Sequence, residues 1–237
     1  MRGRIVGLSG KLVAGIVGVL LMAQPIVASA SPMVGRVGIM GSLALSGTQI
    51  DFTPPVGVGV GNFVVGVATQ SFAPLFLTAG QILDLDTSVT PVGTPVSVPG
   101  FMTFQADPQT SFQLTGIAPG IFSSAACGAA PAVGQTCTLP GSAFEFTNTG
   151  GGTTLSFSVI GNVLNGADVT PFTGLFTAQV AGASYQSLLA TLANDGTVEA
   201  TFSADFVAVI PEPGTAMLVA AGSLVGGVAA RRRVRAA

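Results

Sequence analysis

Apolar and polar residues alternate along several short stretches between residues 31 and 210. The longest stretch spans residues 197–208, where every second side chain is apolar and most of those between are polar or charged. Residues 155–159, 112–114 and 144–146 repeat the pattern over shorter lengths. Because successive side chains point to opposite faces of a strand, this pattern predicts β-strands with one face in a core and the other in water.

Turn-forming residues separate these stretches. The sequence Asn-Asp-Gly at residues 194–196 is a strong turn signal directly before the longest alternating stretch. Residues 185–193 favour a short helix, since their three leucines fall on one helical face. Residues 56–61 alternate Val and Gly and indicate a flexible loop, which leads into a strand region at residues 62–72.

Strands with one wet face, separated by Gly- and Pro-rich turns, predict an all-β domain over residues 31–210. We expect an antiparallel β-sandwich of the jelly-roll or Ig-like type with about ten strands. An outer-membrane barrel is the alternative architecture, and it would need aromatic girdles at both membrane interfaces. The chain has no Trp and a single Tyr, so its 15 phenylalanines fit a packed interior better.

The first 30 residues have the three parts of a secretory signal peptide. Arg2, Arg4 and Lys11 precede an apolar stretch, and small residues at Ala28 and Ala30 fit the −3 and −1 positions of a signal peptidase site. The alternative is an uncleaved membrane anchor. The apolar stretch is short for a bilayer span, which favours cleavage after Ala30.

The other end of the chain, residues 211–237, carries a second membrane pattern. Pro211, Glu212 and Pro213 precede a segment at 214–230 that has no charge. Seventeen helical residues extend about 25 Å, which predicts a marginal transmembrane helix. A basic tail follows at 231–237 and contains Arg231, Arg232, Arg233 and Arg235. Arginines favour the cytoplasmic side, so everything before Pro211 is expected outside, as the amino-terminal signal also requires.

This tripartite tail resembles the PEP-CTERM sorting signal of Gram-negative bacteria. The resemblance implies that an exosortase, an integral membrane transpeptidase, recognises Pro211, Glu212 and Pro213 and removes the helix and the basic tail. It also implies export across the inner membrane, transient anchoring, and a final place at the cell surface or outside the cell. A permanent anchor with a stiff proline spacer is the alternative for the same residues.

The central region is similar, more loosely, to a group of PEP-CTERM proteins of unassigned function, mostly cyanobacterial or proteobacterial. The similarity lies in the paired cysteines and in residues 156–161, 174–179 and 202–206. It implies no activity for this domain.

Cys127 and Cys137 are the only cysteines in the chain. In an oxidising compartment such a pair usually forms a disulfide, here closing a small loop. A transition-metal site is not expected, because the chain has no histidine and no second cysteine pair.

Charge excludes one class of partner. Between residues 31 and 210, nine acidic residues stand against Arg36 alone, so the domain carries a formal charge of −8. Such a surface repels phosphate backbones, and nucleic-acid binding is not expected.

The absence of histidine removes the commonest general base, so the sequence predicts neither an enzyme nor a cofactor. Asp84 and Asp86 would share one face of a strand and form a weak candidate for Ca²⁺ binding or for a glycosidase pair. A solvated strand edge or turn is the simpler interpretation. Three hypotheses follow: a non-catalytic surface or matrix protein associated with exopolysaccharide, a glycan- or calcium-binding surface module, and a secreted hydrolase.

Overall fold

The structure is a computed structural model that describes residues 32–54 and 59–210. These residues form twelve strands and one α-helix, α1 (Tyr185–Ala193). In chain order the strands are β1 (Gly35–Leu45), β2 (Gln49–Thr53), β3 (Val60–Ala68), β4 (Ala79–Leu83), β5 (Leu85–Asp86), β6 (Val98–Phe104), β7 (Thr110–Ile117), β8 (Thr136–Cys137), β9 (Glu145–Thr149), β10 (Gly152–Asn165), β11 (Asp168–Ala181) and β12 (Val198–Ala208).

Eight of these strands pair around a ring in the order β1, β3, β4, β6, β7, β10, β11, β12, and β12 pairs again with β1. All pairs are antiparallel. Each main strand therefore lies beside the next one along the chain, which is the arrangement of an up-and-down barrel. The closing pair is long, with register from Gly35 opposite Ala208 to Leu45 opposite Val198.

The prediction of an all-β, antiparallel domain is confirmed, but the prediction of a two-sheet sandwich is wrong. A sandwich has two sheets with free edges, whereas here the first and last strands join one sheet into a barrel. The alternating pattern gives each strand an inner and an outer face in both architectures. Closure of the barrel depends on pairing between residues more than 150 positions apart, such as Gly35 and Ala208. A local sequence pattern does not predict such a pairing.

Phenylalanine side chains fill the barrel. On β12 the alternation is as predicted, since residues 198, 200, 202, 204, 206 and 208 are buried. Phe176 lies near the centre, where its ring stacks on Phe157 at 4.6 Å between centroids and meets Phe206 edge-on at 5.5 Å. Gly174 makes room for this packing, because a Cβ there would lie 2.6 Å from the Phe206 ring. Fully burying one such side chain stabilises the fold by about 1.5–3 kcal/mol.

We call the lower end of the barrel the end at which β12 finishes and β1 begins. A short 3₁₀ helix, Gln70–Leu75, crosses this opening and buries Phe72 and Leu75. The Phe72 ring lies 5.9 Å from that of Phe112 inside the barrel. The predicted strand region at 62–72 is therefore partly wrong: β3 ends at Ala68, and the chain turns with Gln70 at a φ of 53°.

The upper end, where β12 begins and β1 finishes, is widened by extra strands. β2 pairs with the upper part of β1 and with β5. On another part of the ring, β9 pairs with the upper part of β10 and with β8. The β2–β5 and β8–β9 pairs extend the wall beyond the eight-stranded ring and leave a space between them.

The predicted helix and turn are confirmed. α1 spans Tyr185–Ala193, and Ser184 caps its amino terminus by accepting a hydrogen bond from the Ser187 N–H at 3.4 Å. Asp195 adopts the positive φ, 55°, that the Asn-Asp-Gly turn predicts. The helix lies at the upper end, immediately before β12 enters the barrel.

Candidate functional site

An open cavity of about 380 Å³ lies at the upper end of the barrel. Its lining comes from the β1–β2 turn, β2, β5, the segment after β8 and α1. Phe157 of β10 and Phe146 of β9 also line the space. Its volume falls in the range of roughly 300–1,000 Å³ that is typical of small-molecule sites.

The described residues that line the cavity are mostly apolar, and none of them has a charged side chain. Phe144 meets Phe157 edge-on at 5.6 Å, so aromatic rings cover part of the wall. The aliphatic part comprises Ile50, Leu85, Val92, Ile117, Leu139, Leu189 and Leu192. The polar lining side chains are Ser46, Thr48, Gln49, Thr87 and Ser142. The cavity is therefore suited to an uncharged, apolar ligand.

A buried polar cluster holds α1 in place. The Asn148 Oδ1 atom accepts a hydrogen bond from the Tyr185 N–H at 2.8 Å, and its Nδ2 donates to the Gln186 side chain at 3.0 Å. The Gln186 amide donates in turn to the Gln135 Oε1 atom at 2.8 Å. The Tyr185 hydroxyl donates to the Ala126 carbonyl at 2.9 Å, and burial raises the pKa of Tyr185. These bonds connect the helix to β9 and to the chain around the disulfide.

The predicted disulfide between Cys127 and Cys137 is confirmed. The two Cα atoms lie 5.1 Å apart, and Cys137 is fully buried. The bridge ties the 3₁₀ helix Ser124–Ala126 to β8. The turn that follows β8, closed by the Ser142 N–H donating to the Leu139 carbonyl at 3.0 Å, lines the cavity. The disulfide thus anchors one wall of the site.

Asp84 and Asp86 contact different parts of the chain. The Asp84 Oδ1 atom accepts a hydrogen bond from the Phe52 N–H at 2.8 Å. Burial raises the pKa of Asp84, the Phe52 N–H opposes that change, and the neighbouring Asp51 carboxyl adds to it.

Asp86 forms a turn instead. Its Oδ1 atom accepts from the Ser88 N–H at 2.8 Å, and hydrogen bonds from the Ser88 side chain and backbone lower the pKa of Asp86. The Asp86 carbonyl accepts from the Thr90 N–H and hydroxyl, both at 2.7 Å.

Neither acid lines the cavity. Within residues 32–54 and 59–210, no three His, Cys, Asp or Glu side chains are placed to hold a metal ion together. Calcium binding at Asp84 and Asp86 stays a prediction.

The targeting residues predicted from the sequence all lie outside the described residues. They are Ala28, Ala30, Pro211, Glu212, Pro213, Arg231, Arg232, Arg233 and Arg235, together with the predicted span at 214–230. The structure does describe the residues that directly precede Pro211. β12 ends at Ala208, and the Val209 N–H still donates to the Pro171 carbonyl at 3.4 Å at the lower end.

Residues 209–233 match the PEP-CTERM protein-sorting motif. The chain carries a PEP-CTERM sorting domain. The match starts two residues before Pro211 and covers the proline-flanked glutamate, the uncharged segment and the first three arginines of the basic tail. A PEP-CTERM signal indicates export, membrane-associated sorting in a Gram-negative bacterium, and processing by an exosortase, as the tail predicts.

No curated protein and no solved structure matches the chain. The similarity of the central region to other PEP-CTERM proteins stays a prediction. In the part of the chain that the structure describes, no helix combines the length and the apolar character that a membrane crossing needs.

The cavity was not predicted, although one of its components was. The three leucines on one side of α1 predict a helix with an apolar face. Two of them, Leu189 and Leu192, line the cavity. The remaining lining residues come from segments distant in sequence, and no local pattern joins them.

Proposed function

We propose that this PEP-CTERM protein is a non-catalytic component of the bacterial cell surface or extracellular matrix. In this proposal the signal peptide is removed after Ala30, an exosortase cleaves near residues 211–213, and the barrel is the mature product. The match of residues 209–233 to the sorting motif is the observation that carries the proposal.

Two features of the domain support a structural role over an enzymatic one. The barrel interior is packed with phenylalanine side chains such as Phe112, Phe176 and Phe206. The two acids considered for catalysis are engaged with backbone N–H groups of Phe52 and Ser88. A net charge of −8 over residues 31–210 keeps such a domain soluble and suits a hydrated matrix of extracellular polysaccharide.

A binding module is the second candidate function, because the cavity at the upper end offers a concave space for a small molecule, whereas the calcium candidates Asp84 and Asp86 lie outside it. Glycan or Ca²⁺ binding predicts a rise in melting temperature with the ligand. A hydrolase is the less favoured third hypothesis. It predicts that substituting Asp84 and Asp86 abolishes an activity without unfolding the protein.

Processing is tested by substituting the sorting motif. In cells that contain an exosortase, we expect Glu212→Ala to leave full-length protein in the membrane fraction, because the enzyme loses its recognition element. The control is Glu199→Ala, the same change at an exposed position of β12, which should be processed like the wild type. The measurement is a membrane and surface fractionation with tags on both sides of residue 212. Equal processing of Glu212→Ala and wild type would contradict the proposal.

A further inference from the structure

We propose that the cavity at the upper end of the barrel binds one small, uncharged, apolar molecule, such as a hydrocarbon chain or a fused hydrocarbon ring. This inference goes beyond the proposed surface role, which needs no ligand.

The first argument is that this fold can close one end of the barrel with its own side chains and leaves the other end open. At the lower end the same fold closes its opening with Phe72 and Leu75, both almost completely buried. At the upper end Leu139 keeps 40% of its surface exposed, and Phe144, Leu189 and Leu192 are only partly buried. Exposing several large apolar side chains in one concave place costs free energy that an apolar ligand would recover.

The second argument concerns charge. Among the described residues that line the cavity none is charged, so a charged ligand would lose its hydration there without gaining a partner.

The third argument concerns hydrogen bonds. The Ser46 hydroxyl already accepts from the Gln49 N–H at 3.1 Å, and the Ser142 hydroxyl accepts from the Phe144 N–H at 3.0 Å. The Thr87 hydroxyl donates to the Thr48 carbonyl at 3.1 Å. These bonds orient the polar groups within the turns around the mouth, while aliphatic and aromatic side chains make up most of the lining. The lining therefore favours an apolar ligand over a glycan.

The fourth argument is that the walls are held in place before a ligand arrives. The disulfide anchors the turn after β8, and the Asn148 cluster fixes the amino terminus of α1. A preformed site binds more tightly than one that must be ordered on binding.

The cavity and the last described residues, Val209 and Ile210, lie at different ends of the barrel. The chain leaves the lower end toward the sorting domain, and the cavity lies at the upper end. β1 connects the two ends with 11 residues. A strand rises about 3.3 Å per residue, so the ends lie roughly 30 Å apart.

The test uses protein recovered after export from cells that express the full chain, titrated with the neutral fluorescent probe N-phenyl-1-naphthylamine. We expect a saturable rise in fluorescence with one site per barrel. Ala193→Trp places a large side chain at the cavity and should weaken binding at least tenfold. Its matched control is Ala190→Trp, an exposed position of the same helix outside the lining, which should bind like the wild type.

Leu139→Trp enlarges a lining side chain in the turn after β8 and should also weaken binding at least tenfold. Thermal melting of each variant shows whether it is folded, so weaker binding in a folded variant supports the site. Absence of saturable binding to the wild type, or equal binding by folded Ala193→Trp and Ala190→Trp, would overturn the proposal.

Competition identifies the ligand class. A long-chain alcohol should displace the probe, whereas the carboxylate of the same chain length should need at least a tenfold higher concentration. Displacement by an oligosaccharide but not by the alcohol would replace the apolar ligand with a glycan. None of these readouts depends on cleavage at residues 211–213, so this proposal and the proposed processing can fail separately.

Discussion

At the lower end of the barrel a six-residue 3₁₀ helix places Phe72 and Leu75 in the opening, whereas at the upper end no side chain of residues 32–54 or 59–210 fills the space between β2–β5 and β8–β9. The eight main strands run through both ends, so the strands themselves do not decide which end closes. The difference comes from the connections. A short connection between β3 and β4 turns back across the ring, while the longer ones around β5, β8 and α1 build a wall around the upper end.

The two ends also differ in what lies beyond them. The lower end is where the chain continues toward the sorting domain. The upper end holds the disulfide, the polar cluster around Asn148 and the cavity.

The largest difference between the two ends is expected in the free energy of unfolding that is lost when one phenylalanine at each end is replaced by alanine. Phe72→Ala removes a ring that is fully buried and should lower the free energy of unfolding by about 3–5 kcal/mol, since it leaves a cavity in a packed interior. Phe144→Ala removes a ring from a wall that is already open, so its cost should fall near the low end of roughly 0.5–3 kcal/mol. Denaturant unfolding of both variants measures the difference. Equal costs would mean that the upper end is as tightly packed as the lower end.

Removing the disulfide should affect the upper end selectively. Replacing both Cys127 and Cys137 with Ala should lower the free energy of opening this region by roughly 2–3 kcal/mol, because the loop between them is no longer constrained. Hydrogen exchange should become faster in β8 and β9 and stay unchanged in β11 and β12. Exchange that rises equally along the whole barrel would contradict an anchor restricted to one end.

The smallest effects concern the two acids on the chain between β4 and the turn after β5. The raised pKa of Asp84 means that the folded state holds its proton to higher pH than the unfolded state. Stability from this group therefore falls as pH rises from its ordinary value of 3.8 through the raised pKa. Asp84→Asn keeps the acceptor for the Phe52 N–H and removes the charge, so its melting temperature relative to wild type should increase across this pH window.

Asp86 provides a control, because its pKa is shifted in the opposite direction from that of Asp84. Its lowered pKa contributes stability above its ordinary value of 3.8 and loses it as pH falls through the lowered pKa. Asp86→Asn should therefore melt below wild type at neutral pH, and the gap should shrink on acidification. Melting curves from about pH 3 to about pH 7 test both variants, and parallel pH profiles for the two would refute the assignment.

Local patterns predicted the local structure well. The alternation at 197–208 identified the inward face of β12, the leucines at 185–193 identified α1, and Asn-Asp-Gly identified the turn between them. The cysteine pair predicted its own bridge. In each case the residues that determine the feature lie close together in the sequence.

Features that depend on distant residues were missed. The sandwich prediction failed because barrel closure rests on the long β1–β12 pairing. The strand predicted at 62–72 ended early because Phe72 packs on Phe112, a contact across the barrel that overrides the local apolar pattern. The cavity requires residues from β2, β5, β9, β10 and α1 together, and only the folded chain brings them into one place.

The account depends most on the fate of the sorting domain, and intact mass spectrometry of the surface-exposed protein measures that fate directly. In cells that possess an exosortase, we expect a mature chain that begins at Ser31, ends near residues 211–213 and lacks Arg235. In the same cells without the enzyme, the basic tail should remain. Surface-exposed protein that retains Arg235 in the presence of the enzyme would contradict the account.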